Sequence, residues 1–144
     1  MDAFAKQYPT INPIKIVFNQ TYQLLKQATA ALVTSGTATL ETALFGVPEV
    51  VCYKGGAISF AIAKKLVKVN YISLVNLIMD KEIVKELIQS ELNEVNLKTE
   101  LDKLLTGNSR KEMILNYENL KQRLGGAGAS KKTAELMISY LMNK

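Results

Sequence analysis

The chain has 144 residues, 48% hydrophobic and 22% charged, with a formal net charge of +5; one domain's length and a globular composition argue against a disordered, collagen-like or low-complexity chain. No apolar run approaches the ~18 residues of a membrane span, and the start MDAFAKQYP has no apolar signal core. One cysteine and no histidine exclude intrachain disulfides, His-ligated metal sites and Ser-His or Cys-His dyads.

Along the chain, Ile14 to Phe18 (IKIVF) reads as a strand, with Lys15 on a wetter face. Asn19 is placed to cap a helix carrying Tyr22, Leu24 and Leu25. Ala30 to Thr34 (AALVT) is short, apolar and followed by Ser35-Gly36, the pattern of a buried parallel strand. Leu40, Ala43, Leu44 and Val47 fall at helical spacing, and Gly46 and Pro48 stop that helix. Val50 to Tyr53 (VVCY) is the next strand. Gly55-Gly56 turns into a further helix with Ile58, Ala61, Ile62 and Leu66 on one face and Phe60, Ala63 and Val67 on a second. Tyr71 to Leu74 (YISL) closes the series as a short strand. Strands alternating with helices predict an α/β fold, a Rossmann-like parallel sheet.

The remainder reads as all helix. Leu97, Leu101, Leu104 and Leu105 mark one amphipathic helix, ended by Gly107, and Met113, Tyr117, Leu120 and Leu124 mark another. After the hinge-like Gly125-Gly126-Ala127-Gly128, Ser130 caps a last helix with Ala134, Met137, Ile138 and Leu141 in register. The expected organisation is a single partial domain, with a βαβ nucleotide-binding part over 14–78 and a helical part over 79–144. The sheet is thin for a doubly wound fold. The chain is therefore expected to be truncated at its N-terminus, with apolar surface intended for strands it lacks.

Sixteen of the eighteen basic residues are lysine; Arg110 and Arg123 are the only arginines. Readers of base edges rely on arginine forks, so no nucleic-acid partner is expected. Lys54, Lys64, Lys65 and Lys68 stand in a stretch from Val50 to Met79 without a single acid. That stretch is either a solvated helix face or a surface attracted to anionic lipid or phosphorylated substrate.

The run SGTATLE carries the chemistry. A strand leading through Ser35-Gly36 straight into a helix builds an anion site at the carboxyl edge of a parallel sheet. The N–H groups of Gly36, Thr37, Ala38 and Thr39 would face out at the positive end of the helix dipole, with the Ser35 and Thr37 hydroxyls beside them. Glu41, one turn after Thr37, can accept from both hydroxyls of a ribose. A plain turn with an exposed glutamate remains the alternative. Cys52 reads as a small buried hydrophobe with no histidine to activate it. Tyr53 and Lys54, at the end of their strand, are either surface residues or cleft lining. Glu49 and Glu82 read as solvated.

The run SGTATLETALFGVPEVVCYK, followed by AKKLVKVNYISLVNLI and VKELIQ, resembles the lipid-A-disaccharide synthases, bacterial glycosyltransferases of the GT-B fold. The resemblance covers about Ile14 to Gln89, and its first motif alone would also fit another UDP-N-acetylglucosamine transferase of that fold. It implies a truncated GT-B C-terminal domain that binds UDP, in an enzyme joining UDP-2,3-diacylglucosamine to 2,3-diacylglucosamine 1-phosphate with release of UDP. It implies that Ser35, Gly36, Thr37, Ala38 and Thr39 meet the diphosphate and Glu41 the ribose. Asn76 matches the asparagine of the family's SLPN segment, a donor or orienting group near the diphosphate, with Val75 in place of the usual proline. It further implies no metal and no cofactor, an anionic membrane surface as partner at the cytoplasmic face of the bacterial inner membrane, and a homodimer that exchanges C-terminal segments. No catalytic residue is assigned within the chain, which is expected to be inactive by itself. A non-catalytic nucleotide-binding module and a membrane or subunit-interaction domain stay open as other classes.

Overall fold

The computed structural model describes residues 15, 17–34, 36–56, 70–126 and 128–142. Among them are three strands, β1 (Ala31–Thr34), β2 (Glu49–Tyr53) and β3 (Lys85–Ile88), forming one open parallel sheet in the order β1-β2-β3. Six α-helices accompany them: α1 (Thr21–Gln27), α2 (Thr37–Leu44), α3 (Leu74–Met79), α4 (Glu94–Leu105), α5 (Asn108–Arg123) and α6 (Ala129–Met142). The fold is α/β and Rossmann-like. None of these helices is long and apolar enough to cross a membrane.

The register sets the geometry of the site. Thr34 pairs with Cys52 and Cys52 with Leu87, while Tyr53 pairs with Ile88. All three strands therefore end at one edge, from which β1 leads into α2. Helix α2 lies along β1 and β2, α4 lies along β2 and β3, and α5 packs on α2, α3 and α4. Between them Val50, Val51, Val75, Val84, Leu87, Leu104, Tyr117 and Leu120 form the core. Burying such a side chain contributes about 1.5–3 kcal/mol, so stability resides in the sheet and α5. Helix α6 buries nothing: Met137, Ile138 and Leu141 are aligned as the sequence predicts, yet each is exposed.

Several expectations need correction. Of the strand read at Ile14 to Phe18, the described residues Lys15, Val17 and Phe18 are not in a strand, and Val17 and Phe18 are exposed. Gln20, not Asn19, precedes α1 as its cap, because Asn19 adopts φ +56° in a turn just before it. The helix read after Gly55-Gly56, with Lys64, Lys65 and Lys68, lies outside the described residues. Tyr71 to Leu74 is not a strand. The N–H groups of Ile72 and Ser73 are taken by the Glu86 carboxyl group (2.9 and 3.0 Å), and Ser73 caps α3 by accepting from the Asn76 N–H at 3.3 Å. The sequence after residue 78 is not all helix either, since β3 is the third strand of the sheet. The Lys-Glu pair that opens β3 disguises it, and Glu86 is buried only because residues 72–76 supply its hydrogen bonds.

Candidate functional site

The start of α2 stands open at the carboxyl edge of the sheet. Gly36 is its cap residue, with φ +125°, a backbone that side-chain-bearing residues rarely adopt. A Cβ placed there would meet no atom within 4 Å, so glycine is required by the backbone and not by crowding. No side chain of the described residues caps this helix. Helix geometry leaves the first N–H groups without partners inside the helix; the Thr39 N–H goes to the Gly36 carbonyl at 3.2 Å, leaving those of Thr37 and Ala38. Gly36, Thr37 and Ala38 are all exposed.

Thr39 differs from the expectation that it offers a donor. It is fully buried, and its hydroxyl donates to the Gly36 carbonyl at 2.8 Å. Thr42 likewise donates to the Ala38 carbonyl at 2.8 Å, so both threonines face inward with their hydroxyls satisfied by the helix itself. That buried face turns Thr37 and Glu41 outward. Glu41 is half-buried and carries no hydrogen bond or ion pair among the described residues. Ser35 lies outside the described residues.

Beside this helix start, β2 ends in Tyr53, with Lys54 following it. Both are exposed, and the Tyr53 ring lies on Gly55, where an added Cβ would come within 2.9 Å of the phenol oxygen. The Gly55 N–H donates to Oε1 of Gln89, the residue that follows β3, at 3.3 Å. The same edge thus presents the α2 N–H groups, Glu41, Tyr53 and Lys54, with Gln89 tying the β2 exit to the β3 exit.

Asn76 is brought elsewhere, into a sealed hub. It is fully buried; its Nδ2 donates to the Val84 carbonyl (2.8 Å) and to Glu86 Oε1 (2.9 Å), while its Oδ1 accepts from the N–H groups of Ile83 (2.7 Å) and Val84 (3.0 Å). An amide has two donors and two acceptor positions, and all four are used. Asn76 therefore has no N–H left for a diphosphate. Glu86 also accepts from the Ser73 hydroxyl at 2.8 Å. Sequence reasoning missed Ser73 and Glu86, although Ser73 followed three residues later by Asn76 is a readable cap signal.

Glu49 also departs from its sequence reading. Read from the sequence as solvated, it is fully buried at the start of β2, and neither carboxyl oxygen has a hydrogen-bond partner among the described residues. Burial pushes its pKa up to about 9, so it is uncharged near neutrality. Burial, and then the Glu49 charge, push the Tyr117 phenol up as well. Cys52 is half-buried, its thiol pushed up by burial, with its Sγ 3.8 Å from the Val50 carbonyl. Glu82 is exposed and paired with Lys85 at 2.8 Å.

A crevice of about 230 Å³ lies at the other end of β2 and β3, against α4 and α5. Its charges are largely occupied: Lys85 on Glu82, Lys103 on Glu100, and Lys81 on the Asn116 amide. It offers wet, self-paired charge and no convergent donors. The strand ends are the better candidate.

A family model described as lipid-A-disaccharide synthetase matches residues 3–138. The chain is 42% identical over 139 residues to a lipid-A-disaccharide synthase of Psychromonas ingrahamii, covering 96% of the chain and 36% of the relative. It is 39% identical over 124 residues to the synthase of a Sulfurihydrogenibium species, covering 85% and 32%. With the Syntrophus aciditrophicus synthase it shares 36% over 141 residues, covering 97% and 36%. The chain spans about a third of the length of these curated relatives.

Proposed function

The chain belongs to the lipid-A-disaccharide synthase family, and from that membership we propose that it is the UDP-sugar-binding part of a glycosyltransferase of lipid A biosynthesis. The reaction proposed for the whole enzyme joins UDP-2,3-diacylglucosamine to 2,3-diacylglucosamine 1-phosphate and releases UDP. The observation that carries the reading is the uncapped α2 start at the carboxyl edge of the sheet, in a chain that the family model matches almost throughout.

When the glycosidic bond to the diphosphate breaks, negative charge grows on the leaving UDP. Fixed N–H groups at a helix start stabilise that charge without reorganising, and the helix dipole adds roughly half a positive charge there. In this proposal the N–H groups of Gly36, Thr37 and Ala38 hold the diphosphate, with the Ser35 and Thr37 hydroxyls beside them. Glu41 accepts the ribose hydroxyls. Thr39, with its N–H and hydroxyl both on Gly36, shapes the turn instead of touching ligand. Asn76 serves through the loop at Ile72 and Ser73, which Glu86 anchors. Tyr53 and Lys54 line the sugar side. No residue of this chain is assigned as general base, so the base and the acceptor site would come from another part of the enzyme. Peripheral attachment to the cytoplasmic face of the inner membrane, and dimerisation, belong to the same proposal.

Calorimetric titration with UDP and with ADP tests it. UDP binding well above ADP supports the sugar-nucleotide reading. Equal affinities would leave a general nucleotide module, and no binding of either would remove the site.

A further inference from the structure

Gln89 is held at a local cost that the one side-chain hydrogen bond it makes among the described residues does not explain. It is the first residue past β3 and opens a turn of 3₁₀ helix, Gln89–Glu91, with φ +54°. Glutamine, unlike glycine or asparagine, rarely adopts this left-handed conformation. Its Oε1 accepts from the Gly55 N–H at 3.3 Å, across 34 residues of sequence. That bond also assigns the amide, because a backbone N–H requires an acceptor. Among the described residues Nε2 is then a buried donor without a partner. A strained backbone and an unpaired buried NH₂ both oppose folding, and such costs concentrate at functional sites.

What the residue holds is the exit of β2. Tyr53 and Ile88 are register partners, so Lys54 and Gln89 are the first residues beyond the sheet on neighbouring strands. The Gln89 bond to Gly55 fixes the backbone on which the Tyr53 ring lies. With strands about 4.8 Å apart, Gln89 stands roughly 10 Å across the edge from the β1 exit that leads into α2. A nucleotide diphosphate held at α2 would therefore extend its sugar toward the Tyr53–Gly55 turn.

We propose that Gln89 is a positioning residue that sets the β2 exit turn for the hexosyl end of a sugar nucleotide. The inference rests on the nucleotide reading above and adds where the sugar is recognised. Gln89 acts through Gly55 and not by touching the ligand. The acceptor Oε1 is therefore what matters, and a glutamate in its place preserves it.

The test compares Gln89→Met, which removes the acceptor, with Gln89→Glu, which keeps it. Each is titrated with UDP and with UDP-N-acetylglucosamine, alongside hydrogen exchange at the Gly55 amide. In the Met variant the Gly55 amide should lose its protection, and UDP-N-acetylglucosamine should weaken about tenfold while UDP itself is unchanged, the size of one net hydrogen bond. The Glu variant should restore both readouts. Unchanged sugar-nucleotide affinity in the Met variant overturns the inference, as does a Glu variant as weak as Met. If the unaltered chain binds no UDP, the nucleotide reading fails first. Gly55 exchange that is the same in all three proteins refutes the positioning role independently of any nucleotide.

Discussion

Two helix starts in this molecule, α2 and α3, have been treated in opposite ways. The start of α3 is sealed: Ser73 caps it, and Glu86 takes up the Ile72 and Ser73 N–H groups, the Ser73 hydroxyl and an Asn76 N–H. The start of α2 is open, with no side-chain cap among the described residues and its threonine hydroxyls at 39 and 42 turned inward to the helix carbonyls. Each start carries small polar residues. The difference shows that such residues offer free donors only where the protein leaves their neighbours' N–H groups unpaired.

The largest expected effect comes from breaking the sealed start. Glu86→Ala strands four donors, and leaving buried polar groups unpaired should cost about 3–5 kcal/mol. Urea denaturation reads this directly; a loss below about 1 kcal/mol would show that water replaces the carboxyl group and that the hub is not closed.

At the open start, the expected losses are in binding. Glu41→Ala should weaken UDP roughly 10- to 100-fold, since hydrogen bonds to a charged acceptor contribute about 1.5–3 kcal/mol each. Its melting temperature should hold, because nothing in the described structure leans on the side chain. Gly36→Val should weaken UDP at least as much and also lower stability, by about 1–3 kcal/mol, through its φ of +125°. Calorimetry beside a thermal melt separates the two variants. Equal UDP affinity in the unaltered chain and Glu41→Ala would sink the ribose assignment.

An effect smaller per pH unit, and graded with pH, comes from Glu49. Its pKa is about 9 when folded against 4.5 for the free group, so between those values the folded chain holds a proton that the unfolded chain releases. Stability should fall as pH rises through that window, by up to about 1.4 kcal/mol per pH unit. Glu49→Gln should flatten the dependence. Denaturation midpoints at pH 5 and pH 8 check it, and an equal slope in both proteins would place the titration elsewhere.

Smallest per residue is the electrostatic pull of Lys64, Lys65 and Lys68, about 1 kcal/mol for each lysine near an anionic bilayer. Changing all three to glutamine should reduce salt-sensitive binding to anionic vesicles. If binding is untouched, these lysines form a solvated face.

The parts of the fold legible in sequence are those where a local pattern and the tertiary environment agree. β1 and β2 lie where short apolar runs with turn residues after them indicated, although β1 is half-exposed and not the buried strand expected. Helices α4 and α5 bury the Leu104, Met113, Tyr117 and Leu120 that their spacing indicated. The α2 start was legible for the same reason, since a glycine with positive φ between strand and helix is a local requirement. β3 was hidden because Lys85 and Glu86 look like a solvent-facing pair, whereas the donors that make Glu86 tolerable inside come from residues 72–76. Tyr71 to Leu74 has β-branched residues suited to a strand, yet its N–H groups pair with a side chain and not with a neighbouring strand.

The sequence by itself determined the α/β class, the strand-to-helix turn at Gly36 and the outward placement of Thr37 and Glu41, because backbone sterics and helical periodicity act within a few residues. Only the tertiary structure decided which polar groups are free. Asn76 spent all four of its hydrogen-bonding positions on residues 83, 84 and 86, Thr39 turned back onto Gly36, and Glu49 lost its water under the packed core. A side chain's chemistry is written in its identity, but its availability depends on partners that distant segments deliver.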